Sequence, residues 1–359
     1  MLKTKVTIDY NNSHSVVTSL CQMGSSSSAG RRLVAIGHQN GLVSIIEPAS
    51  AIDSSGSSSN DNNITDRQRM EVWNGSGITS ICRVASGSFL YTALGKGASS
   101  GSFSIFRNRS AHRLCKHRLV GMSVFGACIP QLETETLTPL EVSVAHSGGA
   151  SVVSVGTGGP VGVFAAKTGS DILCTTFIAD SRSVFVGGGR DGHIRLFDSR
   201  IDSKRHNQHR GLFSSKNGCR HKTGVHGISS MHNGMQQFAS ACMDGQVNTW
   251  DVRMIRGNDV GVGSIEPAVR CLNRLSERSE IAAPCMLGFG VSNDVVAAAS
   301  GDGLVRLWSA SSGRLLRAAP LPAARGLCRA LDLDYNPTIA ASTLYLGQGA
   351  NVVAYRSNI

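Results

Sequence analysis

Hydrophobic positions fall at a spacing of two along most of the chain, in short runs broken by Gly, Asp, Asn and Ser. In "HIRLFD" (193–198), Ile194 and Leu196 alternate with His193 and Arg195, the period of a strand. Short apolar strands of the same kind are "RLVAIGH", "FLYTALG", "SVFVGGG", "QFASACM", "VVAAASG" and "IAASTLYLG", each followed by a turn and a further strand. Ahead of those lie "ITSICRVASG", "DILCTTFIADS", "GVHGISSMHNG", "PCMLGFGVSND" and "CRALDLDYNP", which also end in turn residues. The unit is strand, turn, strand, Asp-Gly turn, strand ending in an aromatic, with no amphipathic helix between. The pattern predicts an all-β fold.

The unit recurs. "GRDGHIRLFDSR" (189–200) matches "CMDGQVNTWDVR" (242–253), and both match "SGDGLVRLWSAS" (300–311). Weaker copies are "GHQNGLVSIIEP" (37–48), "ASSGSFSIFRNR" (98–109) and "GQGANVVAYRSN" (347–358). Gly187, Gly189 and Gly192 satisfy G-x-G-x-x-G, but a phosphate cradle needs a helix directly after the last glycine, and here a strand follows. Asp191-Gly192 is therefore expected to be a hairpin turn, with Gly supplying the positive φ. Asp191, Asp244 and Asp302 are expected to accept backbone hydrogen bonds and order such turns.

These repeats resemble the WD40-repeat β-propeller family. Trp250-Asp251 is the dipeptide that names the family, Phe197-Asp198 is a close variant, and Trp308-Ser309 departs at its second position. His221, Ser240, Asp244 and Trp250 stand where the family places its structural hydrogen-bonded tetrad. The resemblance implies one seven-bladed WD40-type β-propeller over 1–359, with blades at about 16–73, 78–120, 122–166, 172–222, 225–271, 284–320 and 327–356. Inner strands are expected near Val16, Ile78, Val124, Leu173, Val225, Met286 and Cys328. The last blade is one strand short, and "KTKVTIDY" (3–10) is expected to pair with it and close the ring. The remaining length falls in expected flexible insertions at 24–32, 50–69, 131–139 and 201–222.

Composition adds limits more than leads. No apolar run reaches the roughly 18 residues that span a bilayer, so no membrane contact is expected. "MLKTKVTIDY" lacks the apolar core of a secretory signal. Ten scattered cysteines without a C-x-x-C pair read as reduced thiols, pointing to the cytoplasm or nucleus. Net charge is +11, from 35 Lys and Arg against 24 Asp and Glu, which favours acidic partners, nucleic acid included. Part of that charge sits in one insertion, where Lys204, Arg205, Arg210, Lys216, Arg220 and Lys222 form a candidate basic partner-binding loop.

No catalytic set emerges. "GASSG" (97–101) matches G-x-S-x-G, but a nucleophile elbow joins a strand to a helix, and a strand follows here. Cys219, His221, His226 and His232 invite a zinc reading, yet they supply one cysteine and no second ligand pair. No P-loop, H-E-x-x-H or kinase signature occurs. The expectation is a non-enzyme with no catalytic, cofactor or metal residues.

Asp198 and Arg200 end the third strand of one unit, and Asp251 and Arg253 end that of the next. Residues i and i+2 of a strand share a face, which sets two Asp-x-Arg pairs side by side on one rim. This tandem resembles the double D-x-R box of substrate receptors for cullin-4 ubiquitin ligases, with Phe197 in place of Trp in the first box. "LVRLWSASSGRLLRAAPLP" (304–322) looks like the last repeats of one such receptor. The resemblance implies a protein-interaction scaffold, monomeric within a larger assembly, that meets a ligase adaptor through these four residues. The alternative is a scaffold subunit of a ribonucleoprotein complex, ribosomal, RNA-processing or tRNA-modifying, that uses its basic surface.

Overall fold

Among the described residues the period-two pattern becomes strand. The computed structural model describes residues 4–8, 15–25, 32–46, 70–73, 76–84, 88–95, 100–107, 112–130, 139–156, 159–178, 181–201, 209–213, 221–231, 237–252, 264–265, 269–273, 288–321, 328–336 and 341–358. Among them there is no α-helix, and so none long and apolar enough to cross a membrane.

Strand β1 (Thr4–Ile8) joins the last sheet. The first sheet holds β2 (Val17–Ser25), β3 (Arg32–His38), β4 (Leu42–Ile46) and β5 (Met70–Trp73). The second holds β6 (Ile78–Arg83), β7 (Ser88–Ala93), β8 (Ser100–Arg107) and β9 (His112–Val120). The third holds β10 (Val124–Cys128), β11 (Leu140–His146), β12 (Gly149–Gly156) and β13 (Gly159–Lys167). In the fourth are β14 (Ile172–Phe177), β15 (Val184–Gly189), β16 (Ile194–Asp198) and β17 (His209–Phe213). In the fifth are β18 (Val225–Ser230), β19 (Gln237–Cys242), β20 (Val247–Asp251) and, after β21 (Ser264–Ile265), β22 (Val269–Asn273). The sixth holds β23 (Phe289–Ser292), β24 (Val295–Ala299), β25 (Leu304–Ser309) and β26 (Leu315–Pro320). The seventh runs β27 (Cys328–Asn336), β28 (Ala341–Gln348), β29 (Asn351–Asn358) and then β1, which pairs antiparallel to β29.

Each sheet is built on a four-stranded antiparallel arrangement, to which the fourth adds one parallel strand at its edge. The first strand of each sheet packs beside the first strand of the next, and β27 packs beside both β23 and β2. Sheets stacked face to face bury both faces of their middle strands, which is why β4, β16, β20 and β24 are buried along their whole length. Each core cluster is shared between neighbours. Val186, Ile194 and Leu196 of the fourth sheet meet Val225, Ile228, Phe238 and Trp250 of the fifth. Val17, Leu20, Val34 and Ile36 of the first meet Ala330, Tyr345 and Val352 of the seventh.

Glycine permits the closest approaches. A Cβ at Gly188 would stand 2.6 Å from a methyl of Val225 on the next sheet, and one at Gly347 would stand 2.6 Å from a methyl of Val17.

The insertions differ in part from the sequence reading. Residues 209–213, expected inside a flexible segment, form β17, which pairs with β16. Gly24, Ser25 and Arg32 belong to β2 and β3. Ser264–Ile265, expected within the fifth blade, adds instead as a fifth strand to the fourth sheet, parallel to β17. Residues 50–69 and most of 131–139 lie outside the described residues.

Candidate functional site

The two ends of the fourth sheet carry different chemistry. At one end, β15 stops at Gly189 and β16 begins at Ile194, so the G-x-G-x-x-G glycines line a hairpin and not a helix start. Gly192 has a φ of 79°, which the tight turn requires. Asp191 accepts the amide of His193 at 3.2 Å, and Asp302 accepts that of Leu304 at 3.0 Å. Asp244 accepts the amide of Gln246 at 2.9 Å.

Two of these aspartates do more than order a turn. Arg195 lays its guanidinium on both oxygens of Asp191, one contact at 3.0 Å, and Arg306 pairs with Asp302. Burial alone would raise the Asp191 carboxyl, but the Arg195 fork and the His193 amide outweigh it and hold the group down to about 2. Sequence reasoning missed Arg195 and Arg306. Their signal is "DGHIR" beside "DGLVR", where an arginine four residues past the aspartate crosses the turn to reach it.

At the opposite end stands the first Asp-x-Arg pair. Asp198 is fully buried, while the Arg200 side chain remains 67% exposed. The carboxylate accepts the Arg200 amide at 3.1 Å, Nε at 2.9 Å and Nη2 at 2.8 Å. A buried acid thus clamps an outward arginine by three bonds, and its bonds and charge raise the guanidinium pKa further. Phe197, beside it, stacks on Phe185 with centroids 4.9 Å apart. Asp251 of the second pair is buried and accepts Nε2 of Gln237 at 3.2 Å. Arg253 lies outside the described residues.

Beside Arg200 opens a cleft of about 330 Å³ between the third and fourth sheets. Glu141, Ser154 and Phe164 form one wall, and Arg182, Ser183 and Ser199 the other. The Ser154 hydroxyl lies 2.8 and 2.9 Å from the two Glu141 oxygens, and the Ser199 amide donates to the Ser183 carbonyl at 2.9 Å.

His221, Ser240 and Trp250 are brought together. Trp250 Nε1 donates to Ser240 Oγ at 2.7 Å, and His221 Nε2 lies 2.7 Å from the same oxygen. Indole can only donate, so the Ser240 oxygen accepts it and the hydroxyl proton is free to meet Nε2. Burial opposes protonation of the ring, and the charge of Asp244 favours it more weakly. His221 is held down to about 4. Asp244 itself accepts the amide of Lys222 at 3.1 Å.

Cys219 and His232 lie outside the described residues, and the cysteine that does approach His221 is Cys242. His221, Cys242 and Asp244 offer a nitrogen, a sulfur and an oxygen within 4.8 Å of one another, a donor set that zinc accepts. Each residue also has internal work: His221 with Ser240, Cys242 with the Thr223 carbonyl at 3.0 Å, Asp244 with two amides.

Of the basic loop, Lys222 is exposed and Arg210 falls on β17. Lys204, Arg205, Lys216 and Arg220 lie outside the described residues. Trp308 is buried where the fifth and sixth sheets meet. The first strands of all seven sheets line a common cavity of about 350 Å³.

Residues 158–198 match the family model described as WD domain, G-beta repeat. That stretch is a WD40 repeat. It runs from β13, the outer strand of the third sheet, through β14, β15 and β16 of the fourth, and so ties two sheets together. No curated protein matches the chain. A WD40 repeat suggests a protein-interaction scaffold.

Proposed function

We propose that the chain is a single seven-bladed propeller, closed into a ring by β1, that works as a non-catalytic interaction scaffold and as a substrate receptor of a cullin-4 type ubiquitin ligase. Ring closure is supported by the packing of β27 on β2 and by the pairing of β1 with β29. The observation that carries the functional reading is the Asp198–Arg200 clamp. An exposed cation is costly to immobilise, and here a fully buried carboxylate has already fixed it in an outward pose, which lowers the entropy lost on docking. In this reading Asp251 and Arg253 form the matching half, and both arginines face the adaptor.

The +11 charge supports a second reading, a ribonucleoprotein scaffold that binds through Lys204, Arg205, Arg210, Lys216, Arg220 and Lys222. One experiment separates them: affinity purification of tagged wild type beside an Arg200→Glu/Arg253→Glu double variant, read by mass spectrometry. The receptor reading expects the adaptor and cullin with wild type and their loss with the variant. Ribonucleoprotein subunits in equal amounts from both samples overturn it in favour of the basic loop.

A further inference from the structure

We infer that the outer edge of the second sheet is a docking site for an extended partner segment in which acidic and aliphatic residues alternate, added to β9 as a fifth strand.

Among the described residues, strand β9 ends its sheet and pairs only with β8. Its two faces have opposite character. Cys115 lies opposite Ile105, and both belong, with Leu119, to the core shared with the third sheet. On the other face stand Lys116 and Arg118, opposite Ser104 and Ser102, and Arg113, opposite Phe106 with its guanidinium 5.6 Å from that ring's centroid. The three cations crowd one another: burial, then the charges of Arg113 and Arg118, depress the Lys116 pKa. Among the described residues Arg118 has no ion-pair partner. Val120, at the end of β9, is 82% exposed.

The neighbouring sheet supplies the apolar half. Phe164 of β13 meets Phe185 of the fourth sheet edge-on at 6.5 Å, and Ala166 is buried in that same core. Val163, the residue before Phe164 on the strand, therefore points to the opposite face, toward the second sheet, and β13 lies against β9. Val163 is 59% exposed, and Val161 at the adjacent bulge is 69% exposed. A strand laid along β9 would turn one set of side chains toward Arg113, Lys116 and Arg118 and the alternate set toward Val163. Charge on one face and uncovered valine on the other select the alternating pattern. The molecule already uses this geometry once, since Ser264–Ile265 adds to β17, the corresponding outer strand of the fourth sheet.

The probe is a fluorescein-labelled decapeptide alternating Glu with Val, measured by fluorescence anisotropy on the full chain at two salt concentrations. Three comparisons accompany it: a peptide of the same composition with its glutamates and valines in separate blocks, a proline-interrupted version, and single-stranded oligo-uridine. Binding of the alternating peptide, weakened at least tenfold by Arg118→Glu and at least tenfold by Val163→Asp, is the expected result. Both sites are at the surface, and unchanged thermal unfolding of the two variants shows that the fold is intact. Equal binding of the blocked peptide overturns the inference. So does oligo-uridine binding that Arg118→Glu abolishes and Val163→Asp leaves unchanged, which would assign the strip to nucleic acid. Neither residue touches the Asp198–Arg200 rim, so this test and the adaptor purification can fail separately.

Discussion

Asp332 Oδ2 accepts the backbone amide of Gln22 at 2.6 Å, joining the first strand of the seventh sheet to that of the first across 310 residues of chain. The same relation recurs where Thr176 Oγ1 accepts the amide of Ser230 at 3.3 Å, from the fourth sheet to the fifth. In each case a side chain five positions into one first strand reaches the backbone of the next. Because Gln22 is only partly buried, its orphaned amide can recruit water, so Asp332→Ala should cost about 1–2 kcal/mol. Urea unfolding should show a lower midpoint, and hydrogen exchange should accelerate at Gln22 ahead of the fifth-sheet amides. A uniform rise in exchange would mean that the bond is not a local seam.

Cysteines hold that position at three other junctions. Cys21, Cys82 and Cys128 lie at matching places on β2, β6 and β10, and each sits against the backbone of the following sheet: Arg83, Ile129 and Phe177. Burial raises all three thiols above their ordinary range, and Asp332 adds to this at Cys21. The thiolate is the reactive form, so native protein at pH 8 should alkylate these residues slowly with iodoacetamide, and far faster in denaturant. Mass spectrometry of timed quenches reads this directly. Modification of Cys82 in native protein at the rate of a free thiol would remove the packing explanation.

How far the sequence reached can be followed along the inner strands. Of the seven starts read from it, Val16, Ile78, Val124, Leu173, Val225 and Cys328 fall within a residue of β2, β6, β10, β14, β18 and β27, and Met286 lies outside the described residues. Alternation and turn chemistry are local, so they can be read locally. Strand β17 was hidden because His209–Phe213 is short and embedded in polar, basic residues, and only the open edge of β16 recruits it. The pairing of Ser264–Ile265 with β17 is set by distance in space, which no window of sequence contains. At the rim, Asp198 and Arg200 were legible as i and i+2 neighbours, whereas the Glu141–Ser154 wall of the adjoining cleft joins two strands of another sheet.

His221 sets the pH dependence of the fifth sheet. Its folded pKa of about 4 lies below the ordinary value of 6.5, since burial disfavours the charged ring. The unfolded chain therefore binds the proton more readily. The stability His221 provides is complete above about pH 6.5 and is lost as pH falls toward 4, a swing of about 3 kcal/mol at most. Denaturation midpoints measured from pH 7.5 to 4.5 should fall over this window. His221→Gln should be less stable at pH 7.5 and flatter below it. An unchanged slope in the variant would move the titration to another group.

Asp191 acts at lower pH and with the opposite charge. Its carboxyl is held down to about 2 because the Arg195 fork outweighs its burial, so its contribution is complete above the unfolded value near 4 and disappears as pH falls through about 2. The same logic covers Asp302 with Arg306, where the pKa is also lowered. Both aspartates are partly exposed, and solvent screening keeps each pair's worth near the surface range of about 1 kcal/mol. Asp191→Asn keeps an acceptor for the His193 amide but removes the ion pair. It should therefore lose less than Asp191→Ala at pH 7, and the Asn variant should converge with wild type near pH 2. Chemical denaturation at pH 7, 4 and 2 distinguishes the roles. If Asn and Ala are equally damaging at pH 7, the charge dominates; if Asn matches wild type at every pH, the aspartate serves the turn alone and Arg195 contributes only packing.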